Sequence, residues 1–183
     1  AGTDLLLLCQ HPDVITVGRR QRAQANILDP RFPVFEIERG GDATYHGPGQ
    51  LVGYPIFDLD QFRTDLGWYL RSLEEVIIRT MATYGLKGDR SSGETGVWLD
   101  PQEKGKERKI CAMGIRCSRW VTMHGFAINV NTDLRYFEYI IPCGIKDKAV
   151  TSLKRELERE IDVEEVKEKI KKHFQDVFEA ELF

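Results

Sequence analysis

The sequence lacks the patterns that give a protein a structural metal, a disulfide framework or a membrane span. Its four cysteines, at positions 9, 111, 117 and 143, form no Cys-x-x-Cys pair, and its four histidines do not follow zinc-site spacing. A disulfide scaffold is not expected in 183 residues with so few cysteines. The longest apolar run, Leu5–Cys9, is too short to cross a bilayer. We therefore expect reduced thiols, no metal and no membrane segment.

An excess of positive charge is also missing. Lysine and arginine total 26 against 29 aspartates and glutamates, which gives a net charge of −3. This balance argues against a general nucleic-acid binder. A local basic rim that faces an acidic partner stays possible, with ordinary solvated charge as the alternative. Its candidate residues are Arg116, Arg119, Arg135, Lys146 and Lys148.

The chain does contain a mixture of strand and helix patterns, at a length that predicts a single domain over residues 1–183. Apolar or alternating runs predict strands over 5–8, 14–17, 32–38, 51–57, 96–99, 109–116 and 121–130. Spacings of three and four residues predict helices over 65–84 and 163–180. Because the elements mix irregularly, we expect an α+β fold with a mixed, largely antiparallel central sheet flanked by helices. The 5–8 strand is expected to be buried.

A glycine-rich stretch, residues 39–50, lies between two predicted strands. It carries four glycines and one proline, yet it also contains Tyr45 and His46. Glycine lets a backbone approach a ligand closely and adopt positive φ. The stretch therefore predicts a loop that cradles a ligand, and an ordinary turn is the alternative.

Cys143 and Lys109 are the candidate reactive side chains. Cys143 lies between a proline and a glycine after an apolar run, and a catalytic thiol needs a nearby base or cation. Lys109 begins an apolar strand, where it is expected to share a face with Cys111 and where its charge must be solvated or paired. His46 and His124 compete with Lys109 for the activating role. Cys143 is alternatively a small residue in a bend. For His124 two roles stay open, a residue that lines a pocket and a core histidine.

Four blocks in fixed order resemble the signature of the lipoyl(octanoyl) transferases. They are residues 39–55, 109–116, 124–133 and 141–144, the last followed by 150–153. The resemblance covers nearly the whole chain. Family members usually begin with a further strand and helix, so we expect an N-terminal family segment that this sequence does not include. The resemblance implies the fold shared by biotin– and lipoate–protein ligases.

The resemblance also implies a reaction without a cofactor. Octanoyl passes from octanoyl-acyl carrier protein to a lysine of a lipoyl domain, as in 2-oxoacid dehydrogenases and the glycine cleavage H protein. Cys143 would carry the acyl group as a thioester, and Lys109 would activate it. The location implied is cytoplasmic for a bacterial protein and mitochondrial for a eukaryotic one. The implied substrate-binding residues are Arg39, Gly40, Gly41, Asp42, Ala43, Thr44, Tyr45, His46, Ala112, Met113, Gly114, Gly125, Phe126 and Ala127.

Two other functions stay open. An ATP-dependent lipoate or biotin ligase of the same fold forms an acyl-adenylate and needs no cysteine nucleophile. A non-catalytic acyl-binding module would tolerate Cys143→Ser. The presence of Cys143 and the lack of a biotin-ligase Gly-Arg-Gly loop favour the transferase.

Overall fold

A computed structural model describes residues 4–19, 23–141 and 149–183. Within these residues the strands are β1 Leu5–Cys9, β2 Val14–Val17, β3 Val34–Glu36, β4 Ala43–His46, β5 Gln50–Ile56, β6 Gly88–Asp89, β7 Val97–Leu99, β8 Arg108–Ser118, β9 Val121–Asn129 and β10 Ala149–Val150. The α-helices are α1 Leu66–Ala82, α2 Leu153–Leu157 and α3 Val163–Phe178. Short 3-10 helices cover Ala23–Asn26, Leu59–Gln61 and Leu134–Tyr139.

The strands form two sheets. The larger has the order β1-β5-β9-β8-β7-β6, with antiparallel neighbours, and β10 pairs with β8 in parallel. The smaller has the order β3-β2-β4, in which β2 is parallel to β3 and antiparallel to β4. The predicted α+β fold with a mixed central sheet and flanking helices is confirmed.

Helices α1 and α3 pack against the larger sheet and close the main core. Each begins where an aspartate caps its first turn: Asp65 accepts from the amide of Trp68, and Asp162 accepts from that of Glu164. The apolar stripes of both helices meet the sheet in one cluster, because their buried positions recur at three- and four-residue steps. That cluster includes Leu73, Val76, Ile77, Ile128, Val166, Ile170 and Phe174. No helix in the described part of the chain is long and apolar enough to cross a membrane.

Strand β1 is only partly buried, contrary to the prediction for residues 5–8. Leu5 and Leu7 are 47% and 48% exposed. Within the described residues β1 pairs with β5 alone, so it forms an edge of the larger sheet. Alternate side chains of a strand point to opposite faces. Leu6 and Leu8 pack against the main core, whereas Leu5 and Leu7 point to the opposite face, which stays exposed.

A β-bulge changes the face on which Lys109 lies. The register between β7 and β8 shifts: Val97 is opposite Cys111, whereas Trp98 is opposite Lys109. Ile110 is the extra residue, and it joins Cys111 in the main core. The prediction that Lys109 shares a face with Cys111 is therefore wrong, because the bulge interrupts the alternation.

The glycine-rich stretch is not a continuous loop. Its middle part forms β4, which pairs with β2 through Ala43 opposite Val17 and His46 opposite Val14. The stretch thus contributes strand β4 to the smaller sheet, with a short turn before it and another after it. Its side chains are held on a strand, which gives them a more definite direction than a loop provides.

Candidate active site

A cavity of about 820 Å³ lies between the two sheets. Strands β5, β8 and β9 form one wall, and strands β2, β3 and β4 contribute to the other. Most of the predicted substrate-binding residues line it, together with Lys109. These residues are Arg39, Gly41, Asp42, Ala43, Thr44, His46, Ala112, Met113, Gly114, Gly125, Phe126 and Ala127. Segments far apart in sequence thus meet around one space.

Two predicted residues that the structure describes, Gly40 and Tyr45, do not belong to that lining set. Gly40 donates its amide to the carbonyl of Ile115 at 3.0 Å and joins the loop to β8. Tyr45 is fully buried and donates its hydroxyl at 2.6 Å to Asp13, which lines the cavity, so it supports the wall from behind. Burial and that bond raise the pKa of Tyr45 above its ordinary value. Cys143 lies outside the described residues.

Lys109 reaches the cavity from the β-bulge. It is 8% exposed, and its Nζ lies 4.5 Å from the centre of the Trp98 ring. An aromatic face stabilises an ammonium that has lost part of its hydration. The backbone of Lys109 is held as well, because its carbonyl accepts from the amide of Thr151 at 2.9 Å. The bulge and the aromatic ring therefore place a buried amine in the cavity wall.

The cavity extends along β8 away from Lys109. Gly114 follows Lys109 by five positions, which corresponds to about 16 Å along a strand. Gly114 lies opposite Gly125 of β9, and both line the cavity. A Cβ on Gly114 would lie 2.6 Å from the carbonyl oxygen of Gly40, and one on Gly125 would lie 2.3 Å from that of Gly53. These glycines are needed because neighbouring backbone approaches closely.

Arg39 and Asp42 hold the glycine-rich stretch in shape. The Nη2 of Arg39 donates to the carbonyl oxygen of Thr16 at 2.9 Å and to its hydroxyl at 3.1 Å. Asp42 accepts from the side chain of Asn26 at 2.6 Å and from the amide of Ala43 at 2.8 Å. Both side chains are more than nine-tenths buried. Their hydrogen bonds fix the wall that they line.

His46 is a neutral, fully oriented histidine. Its Nδ1 lies 2.7 Å from the Oε1 of Gln50, an oxygen that only accepts, so Nδ1 carries the proton. Burial, the largest cause, and the positive charge of Arg39 lower the pKa of His46 to about 4, and the bond to Gln50 opposes them. His46 therefore remains uncharged at neutral pH.

The pKa of His46 makes the protein less stable in acid. The unfolded chain binds a proton near pH 6.5, whereas folded His46 resists it down to about pH 4. The stability that neutral His46 contributes is thus complete above about pH 6.5 and is lost as the pH falls toward 4. We expect the wild type to lose about 2 kcal/mol more unfolding free energy than His46→Gln between pH 7 and pH 5. Urea denaturation at both pH values measures it, and equal losses would contradict this assignment.

His124 lines the cavity, which decides between its two predicted roles in favour of a pocket residue. It lies in β9 with a φ of +63°, an uncommon conformation for a histidine. Burial lowers its pKa, and the charges of Arg39 and Arg116 lower it further. Since His124 lies opposite Ile115, six positions beyond Lys109 on β8, it stands at the other end of the cavity.

Other cavity residues escaped the sequence analysis. His11 and Tyr54 face the cavity and share a hydrogen bond of 2.6 Å. The segment 93–95 also lines it and precedes Gly96, whose amide donates to the buried carboxylate of Glu74 at 3.0 Å. The sequence analysis assigned no role to His11. Its proline neighbour gave no signal that would have distinguished a cavity residue from a turn residue.

The suggested basic rim is partly neutralised. Arg116 pairs with Glu38 and Arg135 pairs with Asp133. Lys146 and Lys148 lie outside the described residues. Within residues 4–19, 23–141 and 149–183, no group of three His, Cys, Asp or Glu side chains is placed to hold a metal ion.

Comparison with known proteins identifies close relatives. Residues 1–175 match the lipoyl protein ligase A/B catalytic domain. An octanoyltransferase from Christiangramia forsetii is 58% identical over 183 aligned residues, which cover 96% of this chain and 78% of the relative. A second octanoyltransferase, from Cytophaga hutchinsonii, is 50% identical and aligns with 100% of this chain and 77% of its own length. The predicted resemblance is confirmed.

Solved structures share the fold. A bipartite lipoate protein ligase from Thermoplasma acidophilum superposes with a TM-score of 0.77 at 16% identity, and the match covers 100% of this chain and 74% of that one. A biotin protein ligase from Aquifex aeolicus gives a TM-score of 0.55 at 16% identity and covers 93% and 70%. At these identities the likeness concerns the fold alone.

Proposed function

This chain belongs to the lipoyl protein ligase A/B catalytic-domain family and, within it, to the octanoyltransferases, and we propose that it transfers octanoyl through a thioester on Cys143. It is an acyltransferase of protein lipoylation. The donor in this proposal is octanoyl-acyl carrier protein, and the acceptor is a lysine of a lipoyl domain. Lipoyl domains of 2-oxoacid dehydrogenases and the glycine cleavage H protein are the acceptors that we propose. Because its relatives are bacterial, we also propose the cytoplasm as its compartment.

The observation that carries the proposal is the cavity that begins at a buried lysine. Its walls include Val52, Met113 and Phe126, which suit a hydrocarbon chain. Burial of such a chain gains about 0.8 kcal/mol per methylene. With the acyl tail along β8 toward Gly114, the reacting carbonyl lies at the Lys109 end.

The other cysteines are poor candidates for the nucleophile. Cys111 is fully buried in the main core, where burial raises the pKa of its thiol. Burial also raises the pKa of the Cys9 and Cys117 thiols. A raised pKa leaves less thiolate at neutral pH, and the thiolate is the reactive form. Cys143 is therefore the cysteine to which the proposal assigns the acyl group.

The described neighbours of Cys143 in the sequence also support this assignment. Strand β10 begins six positions after Cys143, and its residues Ala149 and Val150 pair with Arg108 and Lys109. Cys143 is thus seven positions in sequence from Val150, the residue that pairs with Lys109. The proposal needs the sulfur and the amine within the same site.

The chemistry balances without ATP. The Cys143 thiolate attacks the donor thioester carbonyl, a new thioester forms, and the carrier thiolate leaves and takes a proton from solvent. The Lys109 ammonium, no longer paired with a thiolate, releases its proton to solvent and becomes the amine. The acceptor amine then attacks the Cys143 thioester, an amide forms, and the thiolate is released while the amine proton passes to Lys109. As an ammonium Lys109 stabilises the thiolate, and as an amine it accepts the proton. Backbone amides would stabilise the oxyanion, an effect of several kcal/mol.

Acylation without ATP tests the proposed function. Incubation with octanoyl-acyl carrier protein should add one octanoyl group to the protein, and peptide mapping should place it on Cys143. Cys143→Ser should remain unmodified, whereas the control Cys117→Ser should be acylated like the wild type. Modification at another residue would reject the assignment of Cys143, and modification only when ATP and free octanoate are supplied would favour a ligase.

A further inference from the structure

A continuous chain of hydrogen bonds runs from the cavity wall to the backbone of Lys109. His46 Nδ1 donates to Gln50 Oε1 at 2.7 Å, and Gln50 Nε2 donates to Asn129 Oδ1 at 2.9 Å. Asn129 Nδ2 donates to the carbonyl oxygen of Thr151 at 3.0 Å. The amide of Thr151 donates in turn to the carbonyl oxygen of Lys109 at 2.9 Å. The chain thus connects both sheets.

The direction of every bond in this chain is determined. Gln50 and Asn129 are 2% and 4% exposed, so water does not replace their partners. Gln50 Nε2 also donates to the carbonyl oxygen of Tyr45 at 3.3 Å. If the side-chain amide of Gln50 or Asn129 were flipped, its NH₂ group would face another donor and its oxygen would face another acceptor oxygen, and both contacts are unfavourable. Each of the two side chains is consequently fixed by the other.

The two amides act at a distance from the substrate. Neither Gln50 nor Asn129 is among the described residues that line the cavity. Their effect on the site passes through their neighbours, His46 on one side and Thr151 on the other. Among the residues that the structure describes, β10 pairs with β8 through Ala149 and Val150. The bond from Asn129 therefore adds a side-chain attachment for the backbone that adjoins Lys109.

We propose that Gln50 and Asn129 are positioning residues for acyl transfer, because together they fix Thr151 and β10 against Lys109. The proposal rests on the function assigned above. It predicts that loss of either amide leaves the cavity able to bind the acyl chain but misaligns the reacting groups. Misplacement by about 1 Å costs on the order of 10²-fold in rate.

Asn131 offers a matched control two positions along the chain. Its side chain also makes two hydrogen bonds, both to backbone: it donates to the carbonyl oxygen of Ile161 at 2.7 Å and accepts from the Ile161 amide at 3.0 Å. Asn131 does not line the cavity either. Asn129→Leu and Asn131→Leu therefore remove comparable hydrogen bonds. Urea denaturation of both variants measures the loss of stability that they share.

The test compares kcat and KM for octanoyl transfer to a lipoyl domain. We expect Asn129→Leu to lower kcat at least tenfold with KM within about twofold, and Asn131→Leu to keep both. Gln50→Met should give the same loss of kcat, and the double variant should be no slower than either single variant, since the two amides act as one unit. If Asn129→Leu fails to fold, Gln50→Met alone provides the comparison.

Three results would overturn the inference: a wild-type kcat in a folded Asn129→Leu or Gln50→Met protein, equal losses in the Asn129 and Asn131 variants, or additive losses in the double variant. Failure of the proposed function itself is distinguishable. In that case the wild type acquires no octanoyl group from the carrier protein.

Discussion

Lys109→Ala should lower the rate of octanoyl transfer by about 10²- to 10⁴-fold, the range expected when a positioned acid–base group is removed. Lys109 is 8% exposed, lines the cavity and faces the Trp98 ring. A buried amine in that position supplies both a positive charge for a thiolate and a proton acceptor for the incoming amine. Single-turnover acylation by octanoyl-acyl carrier protein measures the first step separately from the second.

Two further variants separate the roles of Lys109. Lys109→Arg keeps the charge but cannot lose a proton at neutral pH, so it should retain acylation better than transfer to the acceptor. Lys154→Ala is the surface control, since Lys154 pairs with Glu160 in solvent. A wild-type rate of acylation in Lys109→Ala would show that Lys109 does not activate the nucleophile.

Ala112→Phe should lower kcat/KM for octanoyl donors by about 10²- to 10³-fold. Ala112 lines the cavity on β8, opposite Ala127 of β9. A phenylalanine there fills the path between Lys109 and Gly114. Burial of the seven carbons beyond the octanoyl carbonyl is worth about 5.6 kcal/mol, and displacement of half to three quarters of the chain accounts for the predicted loss.

Donor chain length provides the control for this variant. A butanoyl donor reaches less far along β8, so Ala112→Phe should use it nearly as well as the wild type does. Ala112→Ser adds one atom and should change neither donor by more than about threefold. An equal loss with both donors in Ala112→Phe would indicate general damage to the site and would contradict the predicted direction of the acyl chain.

The sequence predicted the elements of the fold better than their surroundings. Residues 65–84 and 163–180 were assigned as helices, and the structure has α1 and α3 within them. Strand patterns around β8 and β9 were equally clear, because both are long and apolar. The exposure of Leu5 and Leu7 was not predictable, since it depends on which strand lies beside β1.

The position of Lys109 required the structure. An ideal strand puts Lys109 on the face of Cys111, whereas the bulge opposite Val97 and Trp98 separates them. A bulge is set by a partner strand about ten residues away, and the apolar run itself carries no sign of it. The family resemblance identified Lys109 all the same. Local periodicity alone would have directed it toward the core.

The hydrogen-bond chain from His46 to Thr151 was also absent from the sequence analysis. Gln50 and Asn129 are separated by 79 positions, and each is an ordinary polar residue in an apolar strand. Only the pairing of β5 with β9 brings them opposite each other. Polar residues in buried strands deserve a search for partners on the neighbouring strand.

The role of Cys143 and the single-domain organisation stay predictions.

The fate of the octanoyl group during one turnover tests the central claim most directly. Protein acylated on Cys143 is isolated, mixed with an excess of lipoyl domain, and sampled over time by mass spectrometry. The account predicts that the label leaves Cys143 and appears on the lipoyl-domain lysine at the same rate, and that this rate is at least as fast as steady-state turnover. Octanoyl that stays on Cys143, or that leaves it more slowly than turnover, would contradict the account.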